Sequence, residues 1–235
     1  MPIEIGLLTF PNVQQLDLTA PYEVFVGIPD ARVHLVAAGL DPVTSSTGLV
    51  LTPTMRVADC PRLDVLCVPG GLGVNALMQD ESVLDFVREQ ARGARYLTSV
   101  CTGALVLGAA GLLRGKRATT HWAALDLLAA FGAIPVAERV VRDGALLTGG
   151  GVTAGIDFAL TLSAELSGQP AAEAIQLGLE YAPAPPFAAG TPETASPAVL
   201  AAVRSRLAAS RAEREELVRA ITGTAGFVPW ASEGA

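Results

Sequence analysis

Apolar positions along the chain fall into two alternating kinds of run. The short continuous ones are "IEIGLLTF" (residues 3–10), "ARVHLVAAG" (31–39), "DVLCVPGG" (64–71) and "RYLTSV" (95–100). They are brief and rich in Val, Ile and Leu, which predicts buried strands. The longer ones carry apolar residues at helical spacing. Residues 82–94 place Val83, Phe86, Val87 and Ala91 on one face, with Ser82 as cap. Residues 17–28 predict a helix with Asp17 or Thr19 as N-cap and Pro21 in the first turn. Further helices are expected over 102–113, closed by Gly115, and over 122–133, stopped by Gly132 and Pro135, then over 154–168 and 170–181. Residues 139–151 read as a hairpin with Asp143-Gly144 at its turn, and 43–57 as a hairpin excursion. Alternation of apolar strands with helices predicts an α/β fold: an open, mostly parallel sheet flanked by helices.

The pattern breaks at residues 182–197, where Pro, Ala, Gly and Thr dominate and predict an extended connector. Residues 198–222 then form an amphipathic helix whose stripe includes Val199, Leu200, Val203, Leu207, Leu217 and Ile221. This divides the chain into an α/β unit over 1–182 and a linker plus C-terminal helix over 183–235. The helix either packs back on its own domain or wraps a second subunit.

Bulk properties narrow the partners. The chain has 235 residues, 51% hydrophobic, with a formal net charge of −7. That balance argues against nucleic acid or an anionic membrane surface as a partner, since both attract basic patches. The strongly apolar stretch 103–113 is too short to span a bilayer. Three cysteines and an N-terminal run interrupted by Glu4 predict reduced thiols in the cytoplasm rather than a secreted disulfide framework. The two histidines, His34 and His121, form no metal-ligand spacing, so no metal site is expected.

The chemistry concentrates at Cys101, where the strand 95–100 turns into the following helix. Such a corner lifts one side chain above the sheet edge, and the helix N-terminus lowers a thiol's pKa. The alternative is a small buried hydrophobe. At the same edge, Gly70 and Gly71 end another strand. Their N–H groups, with that of Thr102, would hold developing negative charge, or the glycines form a plain turn. Asp17 follows the first strand and offers a proton donor beside the thiol, unless it only caps the helix; Glu23 is its rival. His121 is either a rim residue or a helix-start residue. Val13, Tyr22, Phe25, Leu72 and Val152 are candidate walls of an apolar pocket.

Together "DLTAPYEVF", "PGGLG" and "SVCTGALVLGAAGLLRGKRATTHW" resemble the ThiJ/PfpI superfamily, and within it the isonitrile hydratases. The resemblance covers about residues 1–182. It implies the class I glutamine amidotransferase-like fold and a homodimer. The roles it implies are Cys101 as nucleophile, Asp17 as general acid/base, Thr102 as a supporting residue, and backbone groups near Gly71 in anion stabilisation. The implied reaction hydrates a small hydrophobic isonitrile to an N-substituted formamide through a cysteine thioimidate, with no metal or organic cofactor. Other members carry a histidine directly after the cysteine; here Thr102 replaces it, which weakens a peptidase- or glyoxalase-type reading. A cysteine-based redox sensor, or an amidase or glyoxalase-like enzyme, is the alternative. Transcription regulators with a similar domain carry paired helix-turn-helix units, which the residues after Tyr181 are too few to form.

Overall fold

The short apolar runs become the middle of one sheet. In the computed structural model, which describes residues 2–224, β1 (Ile3–Leu8), α1 (Gln15–Phe25) and β2 (Ala31–Ala37) are followed by the small hairpin β3 (Val43–Thr44) and β4 (Val50–Leu51). Next come β5 (Met55–Arg56), β6 (Val65–Val68), α2 (Val74–Leu77), α3 (Glu81–Ala91), β7 (Tyr96–Val100) and α4 (Gly103–Ala109). Then follow β8 (Arg117–Ala118), a 3₁₀ helix (Trp122–Phe131), β9 (Ile134–Pro135), β10 (Val140–Asp143) and β11 (Leu146–Gly149). Three helices close the described chain: α5 (Ala154–Ser167), α6 (Gln169–Gly178) and α7 (Pro197–Thr222).

Seven strands form the main sheet in the order β10-β11-β7-β6-β1-β2-β5. All neighbours are parallel except β10 and β11. That pair is the expected hairpin, with Gly144 at φ +63 opening its two-residue loop, where a left-handed residue is needed. β6 is buried along its whole length, as a central parallel strand must be. Phe25 meets Phe158 edge-on at 5.9 Å in the core between α1 and α5. Burying each such ring contributes roughly 1.5–3 kcal/mol.

Several boundaries differ from expectation for local reasons. α1 starts at Gln15 and lacks a side-chain cap; Asp17 lies inside the first turn, so neither it nor Thr19 is the N-cap. Pro21 sits in the second turn, where it cannot donate to the Asp17 carbonyl. The cap of α3 is Asp80, whose Oδ1 accepts the N–H groups of Ser82 (3.0 Å) and Val83 (3.3 Å). α4 stops well before Leu113 because Gly111, at φ +80, closes it: Gly111 donates to the Gly108 carbonyl and Leu112 to that of Leu107. Residues Trp122–Phe131 wind tightly as a 3₁₀ helix.

α7 settles back on its own chain, against the 3₁₀ helix and α2. It buries Val218 and Arg211 there. Ser196 caps its start through the Val199 N–H at 3.4 Å. The part of the expected 183–235 unit beyond residue 224 lies outside the described residues. No described helix is long and apolar enough to cross a membrane.

Candidate active site

Three strand ends converge at the carboxyl edge of the sheet, where open α/β sheets hold their ligands. β7 ends in Cys101, whose φ of +53 places a non-glycine residue in the left-handed region. That conformation costs on the order of 1–3 kcal/mol and must be held by its surroundings. The Cys101 N–H donates to the Gly149 and Gly150 carbonyls at 3.1 and 2.9 Å. Its carbonyl accepts the Thr120 hydroxyl at 2.6 Å. Gly103 lets the chain turn: a Cβ there would stand 2.0 Å from the Val68 carbonyl oxygen. The expected strand-to-helix corner is therefore built, with Cys101 6% exposed at its tip.

Asp17 meets this corner from α1. It is fully buried, and its Oδ2 accepts the Gly70 N–H at 3.0 Å. Its Oδ1 has no well-aligned partner, while the Cys101 thiol interacts with the carboxyl. Burial pushes the Asp17 pKa up to about 7, against the lowering effects of Cys101 and Gly70. Glu23, the rival carboxylate, is exposed and lines a surface groove with Leu16, Leu179 and Tyr181.

The thiol is also pushed up, contrary to the expectation of a helix-lowered pKa. Burial is the main cause, and the Asp17 charge adds to it; the Thr102 N–H and the Arg214 charge oppose both and are outweighed. The resting pair is thus a neutral thiol beside a carboxyl poised near neutrality. Cys60 and Cys67 are raised as well, to about 11 and about 12, mainly by burial.

Gly70 stands between two of the expected residues, Asp17 and Thr102. A Cβ on it would lie 2.6 Å from the Thr102 nitrogen, 2.7 Å from Thr102 Oγ1 and 2.8 Å from Asp17 Oδ2. The N–H groups expected to receive negative charge are occupied here. Gly70 donates to Asp17, and Gly71 donates to Thr102 Oγ1 at 3.1 Å. The Thr102 N–H is the donor that acts on the sulfur. Leu72 is 53% exposed on the following loop. Val13 is fully buried and bridges to Gly71, and Phe25 belongs to the core, so neither fits as a pocket wall. Tyr22 and Val152 are partly buried against that core.

His121 takes the helix-start role: its Nδ1 accepts the Ala123 N–H at 3.2 Å. Burial, with the Arg214 charge, lowers its pKa to about 4, so it is neutral at pH 7. His34, on β2, pairs with Glu4 of the neighbouring strand β1 at 2.7 Å. Among the described residues no group of three or more His, Cys, Asp or Glu side chains could hold a metal ion. One contributor was invisible in the sequence. Arg214, on α7, donates to Asn75 Oδ1 at 3.1 Å and to the Gly71 carbonyl at 3.2 Å.

Similarity to known proteins fits this geometry. The chain is 64% identical over 217 residues to the isonitrile hydratase of Pseudomonas putida, covering 92% of this chain and 95% of that one. A crystal structure of a ThiJ/PfpI family protein from Pseudomonas syringae superposes with a TM-score of 0.90 at 45% identity, covering 93% of this chain and 91% of that chain. The transcriptional regulator GbdR of Pseudomonas aeruginosa is 31% identical over 182 residues, 74% of this chain but 49% of the regulator. The DJ-1/PfpI family model matches residues 4–165, a span that holds most of β1, the Asp17 turn, the glycine loop and the Cys101 corner, and the chain belongs to the DJ-1/PfpI family.

Proposed function

We propose that this protein is an isonitrile hydratase, converting R–N≡C and water to the formamide R–NH–CHO, with Cys101 as nucleophile and Asp17 as its proton carrier. The observation that carries the chemistry is the contact between the Cys101 thiol and a buried carboxyl whose pKa lies at about 7. The substrate class comes from the Pseudomonas putida enzyme, which the chain matches over 92% of its length.

The sequence of steps balances without an added reagent. The Asp17 carboxylate takes the thiol proton as sulfur attacks the terminal isonitrile carbon, then returns that proton to the same carbon. The product is a thioimidate, R–N=CH–S–Cys101. Water adds to this carbon, giving its proton to Asp17, which passes it to nitrogen. The adduct R–NH–CH(OH)–S–Cys101 then collapses: the hydroxyl proton returns to sulfur through Asp17, the C–S bond breaks and the formamide leaves. A proton carrier works best when its pKa lies near the operating pH, which the burial of Asp17 provides. The Thr102 N–H acts on the sulfur, and the Thr102 hydroxyl, with Gly71, braces the turn. Gly70 holds Asp17 Oδ2, and Leu72 lies on the loop that the substrate's R group would meet.

A redox-sensor role needs an accessible thiol of low pKa; Cys101 is 6% exposed and its thiol is pushed up. The same proposal includes a 1–182 catalytic unit with a 183–235 appendage, and a cytoplasmic homodimer, for which the exposed apolar residues Leu16, Val26, Leu177 and Leu179 offer surface. The deciding experiment incubates the protein with cyclohexyl isonitrile and follows N-cyclohexylformamide. Turnover by the parent and none by Cys101→Ala is expected. Unchanged turnover by the alanine variant would overturn the covalent scheme.

A further inference from the structure

Gly71 is held from outside itself. It sits at φ +130, and a Cβ there would stand 2.4 Å from the Gln14 nitrogen, so the position admits only glycine. Its N–H is fixed by Thr102 Oγ1 at 3.1 Å and its carbonyl by Arg214 at 3.2 Å. The first of these partners belongs to the turn that carries the nucleophile. The second comes from the far end of the chain.

Arg214 reaches that carbonyl because α7 is anchored one turn earlier. The Arg211 guanidinium is buried and held by Asp126 Oδ1 at 2.7 Å, Glu215 Oε1 at 2.7 Å and the Ala123 carbonyl at 2.8 Å. This sets the rotation of α7 about its axis, and Arg214, three residues on, projects onto the loop after β6. Its Nε takes Asn75 Oδ1 in α2 at 3.1 Å, while Nη2 takes the Gly71 carbonyl. A forked guanidinium can hold two acceptors in a fixed relation; an ammonium is a point charge and cannot.

Besides burial, the Asp17 charge from α1 and the thiol's bond to that carboxyl raise the thiol, the Thr102 N–H within its own turn lowers it, and the Arg214 charge from α7 lowers it least. Arg214 itself meets Glu213 and Arg211 on α7, besides Cys101. His121, which also senses Arg214, is neutral at pH 7. Arg214 lies one hydrogen-bonded step from the Thr102 turn, through Gly71, and its charge favours the thiolate, though less than burial and Asp17 oppose it.

We propose that Arg214 is a positioning residue of the active site: it clamps Gly71 so that Thr102 stays braced beside the sulfur, and it supplies the positive charge opposite which the Cys101 thiolate forms. The proposal rests on Cys101 being the nucleophile, but not on the substrate being an isonitrile.

The test uses the full chain and the variants Arg214→Gln and Arg214→Lys. Alkylation of Cys101 by iodoacetamide is followed across pH by mass spectrometry of its peptide, and kcat and KM are measured with cyclohexyl isonitrile. The glutamine variant should move the alkylation midpoint up and slow alkylation at neutral pH. The lysine variant should keep the midpoint but lose kcat, because it restores charge without the fork. A folded glutamine variant with the parent's midpoint and kcat overturns the proposal. Should the glutamine variant not fold, the lysine variant decides, and a parental kcat there overturns it equally. A shifted midpoint in a protein whose parent hydrates no isonitrile upholds Arg214 and removes only the substrate assignment.

Discussion

Gly70 donates its backbone N–H to Asp17 Oδ2 at 3.0 Å, and that bond joins the loop after β6 to the first turn of α1. It leaves Oδ1 as the carboxyl oxygen free to exchange a proton with Cys101. Asp17→Asn keeps the shape and removes the exchange. Its kcat for formamide formation is expected to fall by about 10²–10⁴, the usual worth of a positioned acid/base. Initial rates with cyclohexyl isonitrile check this.

The parent's activity should depend on the ionised form of Asp17. With its pKa at about 7, kcat/KM rises through that value as pH increases and then levels. The asparagine variant's residual rate should lack this limb. A parent profile flat between about pH 5 and 8 would remove Asp17 as the base that starts the reaction.

The same group makes stability pH-dependent. Its pKa is raised from 3.8 unfolded to about 7 folded, so the folded state binds the extra proton between those values. Stability contributed by this residue therefore falls as pH rises through that window. Relative to the parent, Asp17→Asn should gain about 2–3 kcal/mol on going from pH 5 to pH 8. Urea midpoints of both proteins at the two pH values measure it; an unchanged difference refutes the raised pKa.

Much of this fold was legible in the sequence, and the reasons are local. Buried parallel strands read as continuous apolar runs, so β1, β2, β6 and β7 declared themselves, as did the Gly144 hairpin. The two-residue β5 and the single turn α2 carry too few residues for any period to register. Cys101 was legible because one corner of the chain builds its setting. The fate of the Gly70 and Gly71 N–H groups was not, because their acceptors, Asp17 in α1 and Thr102 at the start of α4, are far from them in the chain. The direction of the thiol's pKa was misread for a related reason: the helix terminus is visible in sequence, while burial and the neighbouring carboxyl are not. Nothing in the sequence sets Arg214 apart from the other arginines of α7.

The turn before α4 has no spare room. A Cβ on Gly103 would stand 2.0 Å from the Val68 carbonyl oxygen and 2.9 Å from that of Pro69, both backbone atoms. Gly103→Ala should cost about 1–3 kcal/mol or more in overpacking and take activity with it. Thermal denaturation and turnover check both; a parental Tm would contradict the tight approach.

Arg211 is the anchor of α7, and Asp126 is its half-exposed partner. Asp126→Ala removes a paired carboxylate from a buried cation that Glu215 and the Ala123 carbonyl also hold, and should destabilise by about 1–3 kcal/mol. Amide exchange should quicken along α7 more than in β6 or β7. Uniform protection in parent and variant would mean that the helix is held by something else.

The return of α7 to the loop after β6 also orders events during synthesis. Cys101 leaves the ribosome long before Arg214, by roughly 5–20 s if translation runs at about 5–20 residues per second. Through that interval the nascent chain carries its sulfur without the guanidinium that braces Gly71 in the finished molecule. A truncated or half-made polypeptide is thus born chemically unfinished, and maturation of the reactive centre is timed by the emergence of α7.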